Sequence, residues 1–213
     1  MKTFTKKILT VTLSSIGMLT LQAATAYSAD ENTPFDGPYI GVGAAINKSN
    51  SGASITPSAT TTLESKSKLS EGIYVGYGKQ MDQVYLGIEG GFYFNGNVTP
   101  TATFGATSAG LKSKNTLDLS ARAGFVAGKA LIYGVTGYTS TNYETTDLVV
   151  NAQKRLNGIR YGGGIEYAIT PNASFRAEYT HANYKEWDVA SGTNNITFDP
   201  SEHRFVIGSV FRF

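Results

Sequence analysis

The 213-residue sequence has no cysteine, one tryptophan and only 6 prolines. In an exported chain the missing cysteine excludes disulfides, so closure must come from hydrogen bonding and packing. Beyond the N-terminal segment no long apolar run and no sustained helical period is found, which excludes a transmembrane helix and argues against a helical domain. Basic surplus is also missing. The formal charge of +2 depends on Lys2, Lys6 and Lys7; without residues 1–26 the chain has 15 basic and 16 acidic side chains. No charge argument for a nucleic-acid partner survives.

Residues 1–26 have the layout of a cleaved signal peptide. Three lysines precede a short apolar stretch over residues 8–21, and Ala24-Thr25-Ala26 supplies the small-x-small cleavage pattern. The apolar stretch is short of the roughly 20 residues a spanning helix needs. Cleavage is expected after Ala26, with Ala29 as the alternative end. Residues 27–36 then form a short periplasmic lead, and residues 37–213 a single domain.

What is abundant is glycine, at 24 residues, with 13 tyrosines and 11 phenylalanines. Eight segments alternate in hydrophobicity, near 38–47, 70–79, 84–94, 114–125, 130–140, 157–168, 173–184 and 203–213. Each approximates the ~9–11 residues of a tilted membrane-spanning strand. Tight turns at residues 80–83, 126–129 and 169–172 alternate with long polar loops near 48–69, 95–113, 141–156 and 185–202. That segregation of loop length is the pattern of an all-β, eight-stranded, antiparallel up-and-down transmembrane β-barrel. The first loop is rich in Ser and Thr and poor in large apolar residues, so mobility is expected there.

The two strand faces differ in kind. One carries Ile40, Val42, Ile46, Ile73, Val75, Leu86, Ile88, Leu117, Leu119, Ile159, Ile165, Phe175 and Tyr179, and ends on Phe205, Ile207, Phe211 and Phe213. The segment 130–140 is apolar on both parities: Leu131, Tyr133 and Val135 compete with Ile132 and Tyr138, and the first set is assigned outward. The other face carries glycines and nine charges: Glu89, Asp118, Arg122, Arg160, Glu166, Arg176, Glu178, Arg204 and Arg212. The basic members of this set are arginines without a lysine, and the planar guanidinium suits enclosed, bidentate pairing with carboxylates. The polar face is therefore expected to look into a narrow, plugged lumen. A soluble, lipocalin-like barrel would invert the faces, with the apolar side lining a ligand cavity.

PYIGVGAAIN at 38–47, GIYVGYG at 72–78, YLGIEGGFYF at 85–94 and YGGGIEYAITPNASFRAEY at 161–179 resemble the small opacity- and porin-type outer-membrane barrels related to the OmpA transmembrane domain. The resemblance implies a place in the bacterial outer membrane, among its lipid and lipopolysaccharide. It also implies insertion by the outer-membrane assembly machinery, with Phe205, Ile207, Phe211 and above all Phe213 as the recognition signal. The usual roles of such barrels are surface antigen, adhesin or envelope stabiliser, with host or matrix contacts through the four long loops. A small or gated porin is the alternative.

Enzymatic chemistry is poorly supplied. Lipid A deacylases of similar barrel size place a serine two residues after a late-strand histidine; after His181 that position is Asn183. A nucleophile beside its base is the minimum for such chemistry. The interior Glu and Arg set is better explained as an ion-pair network than as a paired-carboxylate active site. His181, Glu202 and His203 could meet at the rim of neighbouring strands, yet they are few for a metal site. No catalytic residue, metal or cofactor is assigned.

Overall fold

The computed structural model describes residues 33–56, 59–62, 66–95, 101–104, 107–146, 153–191 and 194–213. The expected signal peptide, residues 27–32 of the lead, and the centres of the long loops lie outside the described residues. So do residues 57–58 and 63–65 of the first loop, for which mobility is expected over 48–69; its other residues are strand.

Eleven strands follow one another: β1 (Gly37–Thr56), β2 (Ala59–Thr62), β3 (Lys66–Met81), β4 (Val84–Asn95), β5 (Thr101–Phe104), β6 (Thr107–Ala127), β7 (Ala130–Thr146), β8 (Gln153–Thr170), β9 (Ala173–Tyr184), β10 (Trp187–Ser191) and β11 (Asn194–Arg212). Eight of them, β1, β3, β4, β6, β7, β8, β9 and β11, pair antiparallel in sequence order. β11 closes the ring on β1, from Tyr39↔Arg212 to Thr56↔Asn195. The short strands β2, β5 and β10 fold back as hairpin partners on β1, β6 and β11.

The register fixes the geometry of closure. Starting at Glu71, cross-strand partners run through Ala44, Ile207, Ala177, Ile165, Ile132, Phe125 and Val84, and return to β3 at Met81. The circuit thus comes back ten residues further along the same strand. A stagger of that size with eight strands requires strands tilted strongly to the barrel axis, by about 35–45°. The bore is then just wide enough for side chains.

The turn end is tight. Its tips are Asp82–Gln83, Gly128–Lys129 and Pro171–Asn172. Asp82 (φ 51°) and Gly128 (φ 59°) take the left-handed backbone that a short hairpin demands. At the other end the strands run well past the expected limits. Residues 48–56, 66–69, 107–113, 141–146, 153–156 and 194–202, expected as loop, are strand. They escaped the pattern because a strand beyond the apolar band has no apolar face, so its sequence does not alternate.

Side chains alternate in and out around the ring, and large apolar groups such as Ile88, Leu119, Ile159 and Ile207 are exposed on the outside. Outward aromatics form two belts. Tyr138, Tyr161, Tyr179 and Phe205 lie toward the loop end, and Tyr77, Phe125, Tyr167, Phe175 and Phe211 toward the turn end.

One assignment is reversed by the structure. On β7 it is Leu131, Tyr133 and Val135 that face the interior, at 0%, 4% and 4% exposure, while Ile132 and Tyr138 are 60% and 50% exposed. The physical reason is an apolar floor to the barrel. Phe35, Tyr85, Val126, Leu131, Tyr133, Val135 and Ala168 form one buried cluster at the turn end. There both faces of β7 are apolar, and polarity cannot tell inside from outside.

Candidate functional site

The interior is filled in tiers. At the floor, Phe35 is fully buried and its N–H donates to Gln80 Oε1 at 3.3 Å. The Arg212 guanidinium lies 5.5 Å from the Phe35 ring centroid, and its Nη1 donates to Pro34 O at 2.9 Å and to Glu166 Oε1 at 3.2 Å. The N-terminal lead is thus drawn across the mouth and held by the last strand.

Above the floor, Glu166 collects three arginines and a hydroxyl. Arg176 donates from Nη2 at 3.1 Å and from Nε at 3.2 Å, Arg122 Nη2 donates at 3.4 Å, and Ser174 Oγ donates at 2.7 Å. Glu89 Oε2 accepts from Arg176 Nη1 at 2.5 Å and from Tyr39 Oη at 2.9 Å. Arg122 lies over the Tyr133 ring, 3.7 Å from its centroid, and Tyr133 Oη donates to Glu178 Oε2 at 2.8 Å.

The next tier centres on Asp118. Its Oδ2 accepts from Arg160 Nη1 at 2.5 Å and Arg204 Nη1 at 2.6 Å. Arg160 Nη2 turns to Glu178 Oε1 at 2.6 Å, and Arg204 Nη2 to Glu202 Oε1 at 2.9 Å. Lys68 completes it, with its Nζ 3.6 Å from Glu202 Oε2 and hydrogen-bonded to Ser113. Toward the loop end a polar relay runs from Asn47 through Ser70, Asn95, Thr116 and Thr141 to Tyr184.

All nine charges singled out in the sequence lie in this network, each at most 5% exposed. Two further charges belong to it: Lys68 and Glu202, 6% and 1% exposed. The inward set therefore does include a lysine. Both residues lie in stretches expected as loop, at 48–69 and 185–202, and the strand alternation of β3 and β11 continued past the apolar band points them inward. Six buried cations face five buried carboxylates among the described residues. Burial of such groups is tolerable only when they are paired, since stripping one partner leaves an uncompensated charge.

The inward tyrosines are the other component that the pattern did not show. Tyr39, Tyr74, Tyr85, Tyr93 and Tyr133 are all buried, and glycines make room for their rings. A Cβ at Gly41 would run into the Tyr74 ring, at Gly72 into Tyr93, at Gly76 into Tyr39 and at Gly164 into Tyr133. Of these only Tyr133 has a face assigned by the sequence pattern, and that face is the outward one; Gly–Tyr pairs on adjacent strands are the signal that points inward.

On the outside, His181 and His203 are register partners with ring centroids 4.4 Å apart. Glu202, on the opposite parity, points into the bore and cannot join them. No group of three or more His, Cys, Asp or Glu suited to a metal ion occurs among the described residues.

A closed eight-stranded barrel, apolar outside with two aromatic belts and a charged, packed interior, is built for lipid. A family model described as "Outer membrane protein beta-barrel domain" matches residues 11–213. The chain belongs to this outer-membrane barrel family. Its place is the bacterial outer membrane. It is 26% identical over 143 residues to a 22 kDa outer membrane protein of Rhizobium leguminosarum bv. viciae, an overlap of 65% of this chain and 64% of that protein. That span is slightly under two thirds of the rhizobial protein's length. It is 25% identical over 181 residues to a 25 kDa outer-membrane immunogenic protein of Brucella melitensis biotype 1, covering 83% of this chain and 78% of that one. Among solved structures, Neisserial surface protein A superposes with a TM-score of 0.54 at 18% identity, over 84% of this chain and 98% of that one. This last likeness is one of fold. In outer-membrane barrels the short turns are periplasmic and the long connections extracellular.

Proposed function

We propose that the chain is a sealed, non-enzymatic surface barrel whose extracellular end makes its contacts, as an adhesin or surface antigen and as a stiff element of the envelope. The observation that carries this reading is the pairing across the bore. Arg204 of β11 with Asp118 of β6, and Arg176 of β9 with Glu89 of β4, join strands on opposite sides of the ring. Side chains that meet across the full width leave no open channel at those levels. Each of the five buried carboxylates is engaged by an arginine or lysine, so none of them stands free as a general base. His181 Nε2 hydrogen-bonds Asn183 Oδ1 at 2.8 Å in the position where a deacylase would hold its serine.

External contact is supported by the strand extensions. β1, β3, β6, β7, β8 and β11 carry backbone into the stretches 48–69, 95–113, 141–156 and 185–202, which therefore present stiffened hairpins to the outside. The name of the Brucella relative, an immunogenic protein, is consistent with exposure of this kind. Deleting residues 50–66 and 98–111 is expected to abolish binding to host cells or matrix while the heat-dependent gel shift of the barrel persists. Unchanged binding would remove those loops as the contact surface. Lipid A extracted from overexpressing cells is expected to have an unaltered mass spectrum.

The same reading assigns Phe205, Ile207, Phe211 and Phe213 to recognition by the assembly machinery. The first three are outward-facing on the closing strand. Phe213→Ala is expected to lower the fraction of chain inserted in the outer membrane without changing its synthesis, measured by the heat-shifted band in membrane fractions.

A further inference from the structure

One outward-facing cluster is used by nothing described so far. At the extracellular edge of the apolar band, Lys48 of β1 is the register partner of His203 of β11, His203 of His181 on β9, and His181 of Tyr161 on β8. Four neighbouring strands thus place a lysine, two imidazoles and a phenol in one transverse row. The Tyr179 hydroxyl and His203 Nδ1 are 2.7 Å apart, and the Tyr161 and His181 rings meet edge-on at 5.6 Å between centroids. His181 Nε2 is held by Asn183 Oδ1 at 2.8 Å and its Nδ1 is buried, so His181 adds charge to the row while His203 and Lys48 present the donors. The row contains no carboxylate, because Glu202, next to His203 in sequence, turns inward to Arg204.

We propose that Lys48, His203 and His181 form a binding site for the phosphate group of an outer-leaflet glycolipid, whose acyl chains lie along the apolar strand surface below. Three observations carry this. The site lies in the loop-end aromatic belt, beside Tyr161 and Tyr179, with the exposed apolar side chains Ile46, Phe205 and Ile207 next to it toward the turn end. Its fixed charge is positive, and a basic side chain near an anionic lipid surface gains affinity. Finally, two imidazoles 4.4 Å apart repel each other when both are protonated. An anion beside them offsets that penalty, and a phosphate offers three acceptor oxygens, enough to take the Lys48 ammonium and the His203 imidazolium at once. The groups facing the two histidines are Lys48 from β1, Tyr179 on β9 and Tyr161 from β8, and none of them is a carboxylate. Affinity therefore rises as the pH falls and His203 charges.

The test uses the mature chain refolded in lipid-free detergent and titrated with bis-phosphorylated lipid A as the probe, with bound lipid counted by native mass spectrometry. Tighter binding is expected at about pH 5.5 than at about pH 8, and dephosphorylated lipid should bind weakly at both. Lys48→Ala is expected to weaken binding about fivefold and Lys48→Arg to restore it. Combining Lys48→Ala with His181→Gln and His203→Gln should erase both the preference for phosphorylated lipid and the pH dependence. The heat-shifted gel band reports whether each variant has folded; if the triple variant loses it, the Lys48 pair of variants decides. Equal retention by wild type and variants, or of phosphorylated and dephosphorylated lipid, overturns the site. Full competition by inorganic phosphate overturns its assignment to a lipid headgroup.

Discussion

Arg204 and Asp118 stand on strands that lie opposite each other in the ring, four strands apart either way round, and their atoms meet at 2.6 Å. The pair is a strut across the bore. Arg160 joins it from a third strand at 2.5 Å, so one carboxylate fixes three walls of the barrel.

Removing the carboxylate should therefore cost more than one hydrogen bond. Asp118→Ala leaves two guanidiniums short of a partner in a site 2% exposed, and breaking a buried pair this way costs about 3–5 kcal/mol. A large drop in the urea midpoint of the folded, heat-shifted band is expected. Adding Arg204→Met to Asp118→Ala should recover part of it, because the orphaned cation is then gone. A double variant less stable than the sum of the singles would show that the two residues do not act as a pair.

The glycine–tyrosine contacts make a separate prediction. The Tyr74 ring covers Gly41 on β1 and extends toward Gly208 on β11, where its hydroxyl lies 3.3 Å from Ser209 O. Gly41→Val drives a side chain into that ring and should destabilise by about 1–3 kcal/mol, as overpacking does. Gly90 is the control. It faces outward, and a Cβ there meets nothing closer than 4.0 Å. Gly90→Ala should leave the unfolding midpoint within error.

How much of this was legible follows from where polarity is informative. In the middle of the barrel one face meets lipid and the other a charged bore, so the alternation in GIEYA at 164–168 or EYT at 178–180 identifies both Glu166 and Glu178 as inward. At the periplasmic end the floor under Phe35 is apolar, and β7 lost its signal there. At the extracellular end both faces are polar, which concealed the strand extensions and with them Lys68 and Glu202. Phe35 itself lay in a lead of ten residues with no period to place it; only the fold shows that it enters the barrel.

The β7 assignment can be checked directly, because the chain has no cysteine of its own. Single Ile132→Cys and Leu131→Cys variants, spin-labelled in liposomes, should differ sharply. The label at 132 should be accessible to oxygen dissolved in the bilayer. Leu131 is 0% exposed, so its variant should label poorly or unfold. Equal lipid accessibility at both positions would contradict the inward parity of Leu131, Tyr133 and Val135.

The proposed seal of the bore makes the last prediction, and Phe35 allows it to be graded. Its ring occupies the periplasmic floor under Arg212, and Arg212 also holds Pro34 O at 2.9 Å. Phe35→Ala removes the floor and should cost about 3–5 kcal/mol for the cavity left behind. It leaves the Arg176–Glu89 and Arg204–Asp118 struts above untouched. If those struts close the channel, wild type and Phe35→Ala should both be silent in planar bilayers, with no discrete conductance steps. Steps in Phe35→Ala alone would move the seal from the ion pairs to the lead and make residues 33–36 a removable stopper. Steps in the wild type would show that the ion-paired tiers part in the membrane, and the porin reading would replace the sealed one.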